Sequence, residues 1–347
     1  MAHRRPGWPG RLLAVLAVAA TAAVLALLVA PDRFGLAATT PWAQLVALRG
    51  LVAVLLVGGA LLLLGAVAGW NRVAQRSGLR PPGRALPLAL AGTLVLGAGA
   101  QGVVLAGRGL DGSGPGPVQD ADLVVLSFNT FGVVGPEDLT GLVLAQDADL
   151  TVLAETSAAT ARAVADALTD AGRPTTVLAA DAEGTRVDGV ALLVRDELGS
   201  YALETAGVPA TELGTFAAVP ADAAAPGPVV AAHTRAPSAR LSMPDWRAHA
   251  EGVAALCRST PGAIVAGDLN ATLDHPGLDD LGPCVDAAAA TGAAGLGTWP
   301  ADVPRWLAAP IDHVLVDGRA WRVTGFAALP SVGSSDHRPV VAHLARR

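Results

Sequence analysis

The chain has 347 residues and a formal net charge of −6, and all 24 of its basic residues are arginines. Residues 1–110 carry ten arginines and one acid, Asp32, whereas residues 111–347 carry 14 arginines and 29 acids, about −15. A basic, apolar front followed by an acidic rear points to a membrane region and then a soluble domain, and the chain has no Cys/His spacing for structural zinc, no Walker loop and no Gly-x-Ser-x-Gly elbow, which excludes those classes.

Three apolar runs occupy the front: 12–30, 51–69 (48–69 with its flank, where Arg49 marks the boundary) and 86–106. Each is long enough to cross ~30 Å of hydrocarbon as a helix. The last is interrupted only by Pro87, Thr93 and Gln101. The first follows Arg4, Arg5 and Arg11 and also fits a signal peptide. Two more runs at short intervals favour a three-span anchor over 1–106. Arginine placement orients it. The N-terminus carries Arg4, Arg5 and Arg11, and the second connection carries Arg72, Arg76, Arg80 and Arg84. The first connection carries only Arg33 and the edge residue Arg49. The N-terminus is therefore expected in the cytoplasm, and everything after the third span outside, at the cell membrane.

Residues 107–121 are rich in Gly, Pro and Ser and read as a flexible linker. From 122 to 347 short β-branched runs alternate with Ala-rich amphipathic segments. Strands are predicted at 122–129, 149–155, 175–179, 189–194, 214–219, 228–233, 262–270, 309–318, 321–329 and 338–344. Helices are predicted at 136–146, with Pro136 and two acids in its first turn, at 157–172, with Ser157 as N-cap, and at 243–259. This mixture makes an α/β domain of two or more packed layers. Cys257 and Cys284 both lie in it; outside the membrane they can pair, and the alternative is two separate buried thiols.

Polar residues recur where strands end. They are Asn129 in SFNTFG, Glu155 in VLAET, His233 in VVAAHTRAP, Asp268 and Asn270 in VAGDLNAT, Asp312 and His313 in PIDHVLV, and Asp336 and His337 in SSDHRPV. Singly, each is ordinary turn chemistry. Repeated at every strand end, they make a cluster of carboxylates, amides and imidazoles if the ends share one rim. Hard oxygen ligands such as Glu155 and Asp336 suit Mg²⁺ or Mn²⁺. Histidines can donate to a phosphate that gains charge, and an Asp can hold a His tautomer.

In order, SFNTFG, LAET, GDLNAT, PIDHVLV and SSDHRPVV resemble the endonuclease/exonuclease/phosphatase superfamily across about 122–345. The resemblance implies a four-layer sandwich, two mixed β-sheets face to face with helices outside, and divalent-metal-dependent hydrolysis of phosphoesters. It implies that Glu155 is the principal metal ligand, helped by Asn129 and Asp336. Asp268 would position or deprotonate the attacking water, and Asn270 would hold it and the phosphate. His233 would stabilise the pentacovalent phosphate, and His337, with Asp312 behind it, would act as acid/base or phosphate ligand. His313, one residue on, faces away and is structural. Arg338 either approaches phosphate or is solvated or packed on a helix, and Trp299 stands either at the pocket rim or in plain loop packing.

An acidic domain without lysine is poorly built for nucleic acid, where backbone charge dominates affinity. The anchor points instead to a lipid-linked or small phosphate compound on the outer face. In layout the chain is similar to three-span actinobacterial teicoplanin-resistance (VanJ-type) membrane proteins. A nuclease and a catalytically inactive binding module of the same fold are the alternatives.

Overall fold

The computed structural model describes residues 8–79, 83–112, 121–222, 225–238 and 241–347. Arg4, Arg5, Arg80 and positions 113–120 of the linker lie outside the described residues.

Among the described residues, three helices are long and apolar enough to cross a membrane: α1 (Trp8–Val29), α3 (Arg49–Arg76) and α4 (Ala85–Arg108). A short helix, α2 (Trp42–Ala47), sits in the connection between the first two. Each long helix outruns its apolar stretch, because helical hydrogen bonding continues through the flanking polar residues. Helices α1 and α4 meet closely at Gly97, where an added Cβ would lie 2.8 Å from Leu25 Cδ1. At ~1.5 Å per residue, the 28 residues of α3 put its two ends ~40 Å apart.

The rest is two mixed six-stranded sheets packed with helices. The first runs β11 (Trp321–Ala328), β12 (Val340–Arg346), β1 (Leu123–Asn129), β2 (Leu150–Ala154), β4 (Val190–Arg195), β3 (Thr175–Ala180). The second runs β5 (Tyr201–Glu204), β6 (Phe216–Pro220), β7 (Val229–His233), β8 (Ile264–Asp268), β10 (Asp312–Asp317), β9 (Cys284–Asp286). Strand alternation sorts the side chains. Leu123 and Val125 of β1 meet Val229, Ile264 and Val314 in the core between the sheets. Val124, Leu126 and Phe128 face outward beneath α5 (Pro136–Gln146) and α6 (Ala158–Asp170). Helix α6 buries Ala161, Val164, Ala165 and Leu168, one stripe at helical spacing, and Ser157 Oγ accepts the Thr160 N–H at 3.1 Å as its N-cap. On the far side α7 (Met243–Ser259) covers the second sheet with Trp246, Ala250 and Val253.

Strands β5 and β9 and the one-turn helix α8 (Ala287–Ala290) carry no pattern long enough to read from sequence. The strand predicted at 214–219 begins at Phe216. Gly214 turns there at φ 87°, and an added Cβ would lie 2.6 Å from Ala180 O. Cys257, near the end of α7, is bonded to Cys284 of β9.

The N-terminal helical region and the domain are packed together. Ala43 of α2 is wholly buried among the side chains of α7 and the second sheet. His275 Nε2 bonds Ala43 O at 3.0 Å, Arg247 Nη1 donates to Ala38 O at 3.2 Å, and Gln44 Nε2 donates to Pro237 O. Arg49, the first residue of α3, is 4% exposed. It donates to both oxygens of Asp274, to Gln101 Oε1 of α4 and to Val29 O at the end of α1. Arg108, ending α4, joins it on Asp274 at 2.7 Å. The chain beyond α4 starts docked as well, with Asp111 N donating to Gly292 O and Gly295 N to Gly109 O.

Candidate active site

Sheet topology brings six strand ends to one rim. β1 and β2 are parallel and end at Asn129 and Ala154, with Glu155 next in the chain; β7 and β8 are parallel and end at His233 and Asp268. β10 runs antiparallel to β8 with Asp312 opposite Asp268, so its start lies there too. β12 runs antiparallel to β1, and Val340 pairs Ser127, so the preceding Asp336 and His337 reach the same edge. The turn at Glu155 has φ 51° and that at Asn270 φ 45°. These left-handed positions cost about 1–3 kcal/mol each unless held; Asn270 is held by its N–H on Asp268 Oδ1 at 2.8 Å.

Asp268 Oδ2 is the hub. It accepts from Asn129 Nδ2 at 3.0 Å and Asn270 Nδ2 at 3.2 Å. His233 Nε2 stands 3.8 Å from it and His337 Nε2 3.7 Å. Asn129 Nδ2 also reaches Glu155 Oε1 at 3.0 Å, and His233 Nε2 is 3.7 Å from that oxygen. His337 Nδ1 bonds Asp312 Oδ2 at 2.9 Å, leaving Nε2 toward the site. Asn270 Nδ2 donates further to Thr234 O, and Asn270 O accepts from Trp246 Nε1. Glu155, His233, Asp268, Asn270, Asp336 and His337 all line one cavity of ≈ 540 Å³.

Burial sets the electrostatics. It raises the Glu155 carboxyl above the usual range, against the bond from Asn129, which lowers it. It raises Asp268 too, with Asp312 adding to the effect. Burial lowers His233, so this imidazole is held neutral. Burial acts downward on His337 as well, but the charges of Asp312 and Asp268 outweigh it and lift this imidazole to about 10. One imidazole is neutral and the other carries a proton.

A divalent cation fits this donor set. Asp336 Oδ1 and Asp312 Oδ1 are buried without hydrogen-bond partners, and four carboxyl groups converge on one charged imidazole. Asp268, Asp312 and His337 offer ligand atoms within 4.8 Å of one another. That trio is already joined by the His337–Asp312 bond, whereas Glu155 and Asp336 turn hard oxygens to the cavity. Asn129 uses both ends of its amide. Its Oδ1, the atom a cation needs, accepts the Phe131 N–H at 2.9 Å, and its Nδ2 brackets the two carboxylates.

Ser335 and Arg235 carry parts that sequence did not reveal, and the structure decides between the readings of Trp299 and Arg338. Ser335 Oγ donates to Asn129 O and accepts the His337 N–H, tying β1 to the loop before β12. Arg235 lines the cavity beside Glu212, its ion-pair partner. Trp299 Nε1 donates to Asp336 Oδ2 at 2.8 Å, so the indole at the rim sets that carboxylate. Arg338 points away: it donates to Pro300 O, Ala301 O and Val303 O, and burial lowers its pKa. His313 bonds Asp286 at 2.8 Å and Ala271 O at 2.9 Å, away from the cavity.

The sequence model described as the Endonuclease/Exonuclease/phosphatase family matches residues 126–337. The chain belongs to this family. Among solved structures, an endonuclease/exonuclease/phosphatase from Beutenbergia cavernae is similar at 18% identity and TM-score 0.50, over 65% of this chain and 72% of that one. D. rerio TDP2 complexed with single strand DNA product is similar at 14% identity and TM-score 0.50, over 64% and 98%. A mannosyl-6-phosphatase from Bacteroides thetaiotaomicron is similar at 16% identity and TM-score 0.46, over 65% and 100%. At such identities the likeness is one of fold. Comparison with curated proteins found no match.

Proposed function

We propose that this family member is a membrane-anchored, divalent-metal-dependent phosphoester hydrolase whose catalytic domain lies on the outer face of the cell membrane. The observation that carries the reading is the convergence of Glu155, Asp268, His233 and His337 on one cavity. Glu155 and Asp336 hold Mg²⁺, or Mn²⁺ in its place, as hard oxygen donors. When bound, such an ion polarises a phosphoryl oxygen and acidifies water. Asp268 takes the proton of the attacking water; its raised pKa suits a base. Asn270 and Asn129 fix that carboxylate through their amide nitrogens. His337, supported by Asp312, donates to the phosphoryl oxygen that gains charge, and His233 faces the same space.

Location rests on three supports. Arg72, Arg76 and Arg84 lie toward the far end of the α3–α4 hairpin, as the positive-inside rule asks of a cytoplasmic turn. The first connection, on the domain's side, carries few arginines and is packed on the domain. Cys257–Cys284 belongs to an oxidising compartment. The acidic domain and the anchor favour a lipid-linked or small phosphate compound over nucleic acid, in keeping with the VanJ-like layout.

The test uses the full chain in detergent micelles with Mg²⁺, screened for phosphate release from lipid pyrophosphates, phosphoinositides, nucleotides and DNA. At least one phosphoester is turned over, and Glu155→Gln or Asp268→Asn loses at least about 100-fold. Activity in both variants equal to the parent overturns the site. Absence of calorimetric Mg²⁺ binding, together with no turnover, returns the protein to a binding module.

A further inference from the structure

The connection between the first two spans is part of the active-site cavity. Gln44 and Ala47 of α2, and Leu48 immediately before α3, line the space that Glu155, Asp268 and His337 line. This wall is fixed: Ala43 is buried under α7, and the Arg49–Asp274 pair pins the residue next to Leu48. Phe131, Val187, Leu213 and Ile311 add apolar surface to the same cavity. Phe131 has φ 54° and is 51% exposed, and Val187 is 37% exposed.

A phosphate needs only the polar floor. Apolar walls gain by covering apolar ligand surface. Leu48 immediately precedes α3, a helix long and apolar enough to cross a membrane, so this wall of the cavity adjoins a candidate span. The polar floor, the apolar wall and the span are contiguous, and together they match one kind of ligand.

We infer that Ala47 and Leu48 hold the apolar chain of an amphiphilic phosphoester whose phosphate lies at the strand-end cluster, which makes the anchor a specificity-determining part of the site. This rests on the hydrolase reading above and adds which chemical class the cavity selects.

The test is binding, with the full chain in amphipol and Mg²⁺ present. Methylphosphonate and dodecylphosphonate, which resist hydrolysis, are titrated by calorimetry, with empty amphipol as the partition blank. The parent binds the dodecyl compound on the order of 100-fold more tightly, and Leu48→Gln cuts that ratio at least about 10-fold, the loss from one apolar side-chain contact. Leu48→Met, apolar and similar in volume, keeps the ratio and shows that folding is not at issue. Equal binding of the two phosphonates by the parent, or an unchanged ratio in Leu48→Gln, overturns this inference alone. Failure of the parent to bind either phosphonate overturns the hydrolase reading with it.

Discussion

Adjacent residues on a strand point to opposite faces, and two Asp–His pairs in this chain show both sides of that rule. Asp312 and His313 lie on β10 and diverge, Asp312 to His337 and His313 to Asp286. Asp336 and His337 precede β12, which begins only at Val340, so both turn into one cavity. The two histidine–carboxylate pairs should therefore respond differently. Asp312→Asn removes the charge that supports His337 and is expected to lower kcat by about 10²–10⁴. Asp286→Asn is expected to cost about 1–3 kcal/mol of stability with kcat near the parent's, measured by steady-state kinetics beside chemical unfolding. His275 supplies a pH dependence. It is buried against Trp246 and bonded to Ala43 O, and burial lowers it to about 4. The unfolded chain takes up this proton near pH 6.5, and the folded chain refuses it until about pH 4. Stability should thus fall as pH drops through that window, by ~3 kcal/mol in all. Unfolding midpoints measured between pH 7 and 4 check it: His275→Gln flattens that part of the curve.

At the scale of elements, the strands position the chemistry and the short pieces between them do the rest. The two central parallel pairs, β1–β2 and β7–β8, each send their ends to the rim because a parallel pair finishes at one edge. Glu155 and Asn270 follow those edges with left-handed backbone, and both line the cavity. Helix α7 is tied to edge strand β9 by Cys257–Cys284, across a separation of 27 residues. Closing a loop of that size contributes about 3.5 kcal/mol by restricting the unfolded chain. Replacing both cysteines by alanine is expected to lower stability by about 2–4 kcal/mol while leaving phosphoester turnover largely intact, since neither sulfur reaches the cavity. Equal unfolding midpoints with and without reductant would argue against this.

For the whole molecule, the N-terminal helices and the domain meet at a buried ionic junction. Asp274 receives Arg49 and Arg108, and Arg49 also satisfies the carbonyl at the end of α1. Asp274→Ala leaves a buried guanidinium without its partner, which costs about 3–5 kcal/mol. Limited proteolysis in micelles should then cut between the anchor and the domain faster than in the parent. Asp274→Asn, which keeps hydrogen-bond acceptance, should cut at an intermediate rate. Cleavage at the parent's rate in Asp274→Ala would mean that the packing of Ala43 and the hydrogen bonds of the first connection hold the two regions together without the ionic junction.

Much of this architecture could be read directly from the order of residues. Apolar length gave three helices long enough to cross a membrane, because a helix satisfies its own backbone hydrogen bonds. β-branched runs gave the strands, and five motifs gave the family. Local patterns of that kind are set by near neighbours. What only tertiary structure decided depends on residues far apart in the chain. Asn129 turns its nitrogen to the carboxylates because Phe131 N–H claims its oxygen. Arg338 is taken by three carbonyls of the loop at 300–303. The docking of the first connection onto the domain had no signal in composition. Arg49 and Asp274 are 225 positions apart, and a short connection of mixed composition looks the same whether it faces water or closes a cavity. Which of these it does is fixed by the packing of α2 against α7, and that packing makes Leu48 part of the site.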